Sequence, residues 1–257
     1  CVCRVQGDTF TMMFRKERLP FVTKYLSGTQ IEVGLKDRKN AMMSAYAGYY
    51  EITEPKTGEE IMDRIGMAWN MAKHVQRVPY VFFDESLMQS VENEKWVESV
   101  FDEALKNEEF MVYYQPKVVL KNYRLDGAEA LCRWMHDGEM ILPYRFIPVL
   151  EQSHLICDLD FYVLEHVCRD MSRWQAEGKA LVRVSVNLSR VHLGDMNLVE
   201  HVVEIVDKYH VPHEYIELEL TETTTDVDFR ELKQIVIAFR TLGFSVAVDD
   251  FGVGYSS

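Results

Sequence analysis

From Phe110 onward the chain alternates short apolar runs with segments of helical periodicity, and this alternation constrains the fold more than any other feature. The runs at 110–120, 124–134, 181–188, 215–220 and 244–248 read as strands, while 143–152, 158–177, 195–209 and 228–242 carry apolar residues at helical spacing. Strands separated by single helices predict a parallel sheet, and a β/α barrel rather than a sandwich. Oxygen-bearing side chains stand at the C-terminal edges of these runs. Glu129 closes L-D-G-A-E, Asn187 closes V-R-V-S-V-N, Glu219 lies in I-E-L-E-L, and Asp249-Asp250 close F-S-V-A-V-D-D. In a β/α barrel those ends converge on one face, where active sites lie.

Four or five oxygen donors, acidic with one amide and no histidine pair nearby, describe a site for a hard cation such as Mg²⁺ or Mn²⁺ rather than zinc. Clustered carboxylates repel one another, so a divalent cation is what makes the group tolerable. A single acid at a strand end more often caps a helix or joins a salt bridge; four on one expected face carry the argument. His192, His201, His210 and His213 lack the i, i+4 spacing of a helical zinc site and read as core or solvated residues. Cys132 reads as a small buried hydrophobe. Gly252 and Gly254 are not followed by the G-K-[ST] of a phosphate loop.

The net charge is −13 and unevenly placed: residues 1–97 hold 13 basic and 13 acidic side chains, whereas 98–257 hold 15 and 28. Such a surface repels nucleic-acid backbone and anionic membrane, which argues against DNA as a partner and means that a phosphate-bearing ligand needs local cations, metals above all. Five cysteines at irregular spacing give no disulfide framework, and a reducing cytoplasm is the expected compartment. No apolar run approaches the roughly 20 residues of a membrane helix. The chain opens on Cys1 and stops at Ser257 just after a glycine-rich turn, so both ends are expected to continue, with room upstream for a sensor or membrane segment.

The first third reads as a mixed α/β piece. Gly7-Asp8 between apolar flanks signals a hairpin, 19–26 is helical, 41–52 is a strand, 58–74 is helical and 79–83 a short strand. Residues 87–107 read as a linker helix, with the boundary near 86–98. The expected organisation is therefore 1–86, a linker region 87–109, and 110–257.

The segments Y-Y-Q-P at 113–116, A-E-A-L-C-R-W at 128–134, F-I-P-V-L-E at 146–151, V-N-L-S-R at 186–190, E-L-T-E at 219–222 and D-D-F-G-V-G-Y-S-S at 249–257 resemble the EAL domain, the phosphodiesterase of cyclic di-GMP. The resemblance implies that Glu129, Asn187, Glu219 and Asp249 are metal ligands, with Asp249 bridging two ions and Asp250 serving the second. It implies that Glu222 anchors the loop 249–257, that Arg133 binds phosphate, and that Gln115 and Leu131 line the nucleotide pocket. A two-metal site would activate water and clamp the oxygens of an in-line displacement, giving linear pGpG. Cyclic di-GMP is the implied ligand, and a homodimer through this domain an expected assembly. Val253 stands where the family's loop carries threonine. The 148 residues from Phe110 to Ser257 fall short of the roughly 250 of a whole barrel, so the expectation is a partial one. The family's later catalytic lysine and the glutamate proposed as its base would lie beyond Ser257, and the chain alone is expected to be inactive. The competing class is a receptor that binds the dinucleotide without cleaving it.

Residues 4–10, R-V-Q-G-D-T-F, with 44–50 and A-W-N-M-A-K at 68–73, resemble the latter half of a GGDEF domain, the corresponding cyclase. Gln6 replaces the first glycine and Thr9 the glutamate, losing a close backbone approach and a carboxylate. A degenerate, regulatory module is what that implies.

Overall fold

The computed structural model describes residues 1–24, 29–32, 40–43, 45–75, 77–221 and 226–249, of which 29–32, 40–43, 221, 226–229 and 249 are described in their backbone alone. Two compact units divide the chain, Cys1–Asn93 and Glu94–Ser257.

In the first unit β1 (Val2–Gln6) and β2 (Thr9–Met12) form the expected hairpin, Gln6 opposite Thr9, with Gly7 at φ +54°. That left-handed backbone is open to glycine at no steric cost. Helix α1 (Leu19–Lys24) follows a short 3₁₀ turn, and β3 (Thr29–Glu32) pairs antiparallel with β4 (Asn40–Met43). Strand β5 (Ala47–Tyr49) belongs to a different sheet, parallel to β6 (Tyr80–Phe82), with α2 (Gly58–Asn70) between them. The single strand expected over 41–52 is thus two. Local apolar pattern cannot show that β4 and β5 have different partners. A side chain at Gly48 would collide with the Ile65 carbonyl and the Trp69 amide, so β5 can lie this close to α2 only with glycine there. Thr57 and Glu60 close a reciprocal capping box that starts α2. Ala68, Met71, Phe83 and Leu87 form the small core of this unit.

Asp84 accepts the Leu87 amide at 2.8 Å and so starts α3 (Glu85–Lys106), close to the expected linker helix. Val97, Phe101 and Ala104 of α3 belong to the core of the second unit.

That unit runs β7 (Phe110–Val118), β8 (Leu125–His136), β9 (Glu139–Ile141), α4 (Pro143–Gln152), α5 (Ile156–Ala176), β10 (Arg183–Leu188), α6 (Leu198–Lys208), β11 (Ile216–Thr221), α7 (Asp226–Thr241) and β12 (Ser245–Asp249). The sheet order is β7-β8-β10-β11-β12, with β9 paired to β8. β7 and β9 are antiparallel to β8, while β8, β10, β11 and β12 are mutually parallel. Strand–helix alternation therefore sets in only after a β7–β8–β9 meander. Among the described residues the sheet is open, with β7 and β12 at its edges.

One face of the sheet is dry. Val184, Val186, Leu188, Ile216, Leu218 and Leu220 are each at most 1% exposed. Each such side chain contributes about 1.5–3 kcal/mol by leaving water, and a one-residue slip would expose the whole set, so the register is firmly held. Trp134 centres the aromatic end of this core, stacked on Phe110 at 5.0 Å and on Trp96 at 5.1 Å. Among the described residues no helix is long and apolar enough to cross a membrane.

Candidate cation site on the polar face of the sheet

Because side chains alternate along a strand, residues paired across neighbouring strands share a face. Ser185 pairs with Glu129, Asn187 with Glu219, and Thr221 with Asp249. Gln115 is opposite Glu129 and Leu131 opposite Tyr113. All of these positions fall on the face away from the aliphatic core. The donors do not form a level row: Asn187 lies two residues beyond the partner of Glu129, and Asp249 two beyond the level of Glu219.

Glu129 departs from the expected strand-end position, since β8 runs on to His136. Its parallel pairing with β10 stops at Ala130, however, so Glu129 marks the end of the parallel part, and the remainder of β8 is held by β7 and β9.

Asn187 donates its side-chain amide to Glu129 Oε1 at 3.3 Å, which joins two of the expected donors directly. Glu219, 7% exposed, is instead engaged by a residue that the sequence reading passed over. Lys117 Nζ lies 2.6 Å from Glu219 Oε1, 2.6 Å from Ser185 Oγ and 3.5 Å from Glu217 Oε1, while Ser185 donates to Glu217 Oε1 at 2.6 Å. Burial opposes the Lys117 charge, but the contact with Glu219 and the fields of Glu217 and Glu129 outweigh it and raise the pKa of the ammonium. Among the described residues no three His, Cys, Asp or Glu side chains already converge as a metal cluster. The donors on this face are oxygens, which suits Mg²⁺ or Mn²⁺.

Arg133 Nη1 donates to the Cys132 carbonyl at 2.8 Å, and its guanidinium carbon lies 5.9 Å from the centre of the Tyr113 ring, on the same face as Leu131. Burial pushes the Cys132 thiol up to about 12, in keeping with a packing role. Asp250 and Glu222 lie outside the described residues, and for Asp249 the backbone register alone is described.

Behind Asn187 a buried polar group holds the exit of β10. The Ser189 amide donates to Asp160 Oδ2 at 2.8 Å, His192 Nε2 meets the same oxygen at 3.1 Å, and Ser189 Oγ donates to Glu151 Oε1 at 3.0 Å. His192, 1% exposed, is thus a core histidine, one of the two readings open to it in the sequence.

This sheet has counterparts among known proteins. The EAL domain model matches residues 98–257, and the chain belongs to that family. It is 32% identical over 203 residues to the bifunctional diguanylate cyclase/cyclic di-GMP phosphodiesterase MucR of Pseudomonas aeruginosa, covering 79% of this chain and 30% of MucR. It is 29% identical over 263 residues to the cyclic di-GMP phosphodiesterase NbdA of the same organism, covering 100% of this chain and 33% of NbdA. The chain thus spans a third or less of the length of these relatives. A solved structure of the P. aeruginosa MucR phosphodiesterase in complex with c-di-GMP superposes with a TM-score of 0.58 at 33% identity, over 63% of this chain and 66% of that one.

Proposed function

We propose that the protein of which this chain is part hydrolyses cyclic di-GMP to linear pGpG in a divalent-metal-dependent reaction. The observation that carries this reading is the diagonal of Glu129, Asn187, Glu219 and Asp249 across one face of an EAL-family sheet. In this reading Glu129, Asn187, Glu219 and Asp249 hold Mg²⁺ or Mn²⁺, and Asp250 completes a second position. The metals would neutralise the phosphodiester charge and activate the attacking water. Arg133 takes a phosphate oxygen, Gln115 and Leu131 border the nucleotide, and Glu222 anchors the loop from Asp249 to Ser257.

Full-length protein incubated with cyclic di-GMP and Mn²⁺ is expected to release pGpG, detected by chromatography, and to stop doing so in excess EDTA. Binding of cyclic di-GMP without turnover would place the protein among receptors.

The first 86 residues act, in this reading, as a regulatory module that resembles a GGDEF domain. Gln6 and Thr9 support it, since the signature turn lacks a glycine and a carboxylate. With GTP and Mg²⁺ the full-length protein is expected to make no cyclic dinucleotide; clear GTP-dependent synthesis would overturn the assignment.

A further inference from the structure

The ammonium of Lys117 stands among the acids proposed to bind metal, although it comes from the antiparallel edge strand, two strands away from the first of its partners. It can reach them because the residue directly opposite it on β8 is Gly127, which puts no side chain in the way. A Cβ at Gly127 would also meet the Arg183 carbonyl oxygen at 2.7 Å, so that gap is fixed by the backbone of β10. The arrangement spans three strands beyond its own: Lys117 on β7 passes Gly127 on β8, contacts Ser185 on β10 and ends on Glu219 of β11. Ser185 passes the interaction on to Glu217, so both acids of β11 on this face are tied to one cation.

We propose that Lys117 is a built-in counter-cation of the metal site, a positioning residue that holds Glu219 and Glu217 together in the metal-free protein and competes with the divalent ion for Glu219. The inference rests on the reading of Glu219 as a ligand. Two like charges two residues apart on one strand face need a compensating charge, and before metal arrives Lys117 supplies it. Once a divalent ion binds Glu219, the ammonium lies beside it and repels it. Lys117 therefore stabilises the empty site and weakens metal binding at the same time. A purely structural lysine would do only the first.

The test compares full-length wild type with Lys117→Met. Free Mn²⁺ is followed by electron paramagnetic resonance during titration, and melting is recorded in EDTA and in saturating Mn²⁺. Removing one positive charge from beside a divalent ion in a well-screened setting is expected to tighten Mn²⁺ binding roughly tenfold. The variant should melt lower than wild type in EDTA and recover most of that loss in Mn²⁺. Should Lys117→Met fail to fold without metal, Lys117→Gln, which keeps a hydrogen-bond donor without the charge, carries the same comparison. Equal or weaker Mn²⁺ affinity in the variants overturns the inference alone. Absence of Mn²⁺ binding to the wild type overturns the metal reading and the inference with it.

Discussion

Glu129→Ala in the full-length protein is expected to lower turnover of cyclic di-GMP by roughly 10²- to 10⁴-fold, the equivalent of the several kcal/mol that a metal site contributes to a phosphoryl transition state. The fold should survive. Glu129 is half-buried on the polar face, its side-chain bond to Asn187 is 3.3 Å long, and neither residue belongs to the aliphatic core. Removing one acid from a face that also carries Glu217 and Glu219 relieves repulsion as well as losing a contact, so the melting temperature in EDTA should stay within a few degrees of wild type. Mn²⁺ affinity should fall together with turnover. The measurement is product release by chromatography at saturating Mn²⁺, with circular dichroism to check the fold. Unchanged turnover under those conditions would remove Glu129 from the site.

The candidate site was legible in the sequence where its residues lie at the ends of periodic runs or inside motifs, and Glu129, Asn187, Glu219 and Asp249 meet one condition or the other. Lys117 meets neither, because its partners are 68 and 102 residues away and the register that brings them together is not a local property. Its parity could have pointed to it: Lys117 is two residues beyond Gln115 and so shares a face with it. The turn into β9 was also readable. Asp137 and Gly138, at φ +50° and +82°, link His136 to Glu139, and an Asp-Gly pair is a strong hairpin signal when strands flank it. Without that turn the strand expected over 124–134 stops two residues short of His136, which places Glu129 nearer to a strand end than it is. The helices α2, α3, α4 and α5 were readable because amphipathic periodicity persists over ten residues or more, whereas β3 and β4, four residues each, are defined by each other.

Asp160→Ala should cost the second unit about 3–5 kcal/mol, the typical loss when one partner of a buried, charged hydrogen-bond group is removed. Asp160 is 8% exposed on α5, and one of its oxygens receives both the Ser189 amide and His192 Nε2. Alanine would leave those two donors in a region closed to water by Phe161 and the surrounding core, with His192 Nδ1 already lacking a partner among the described residues. Burial raises the Asp160 pKa above the ordinary carboxylate value and outweighs the opposite pull of His192 and the Ser189 amide. For a domain of this size such a loss corresponds to a fall in melting temperature of roughly 10 °C. Asp160→Asn should be milder, because an amide oxygen standing where Oδ2 stands can still accept from both the Ser189 amide and His192 Nε2–H. The two variants also separate stability from positioning. Ser189 is two residues after Asn187, and its side chain is held in turn by Glu151, so loosening this exit from β10 should weaken Mn²⁺ binding even in Asp160→Asn, whose melting temperature is nearly kept. Melting curves and Mn²⁺ titrations on both variants decide the matter. A melting temperature for Asp160→Ala within 2 °C of wild type would mean that the buried donors find other partners, and full Mn²⁺ affinity in both would free Asn187 from any dependence on this group.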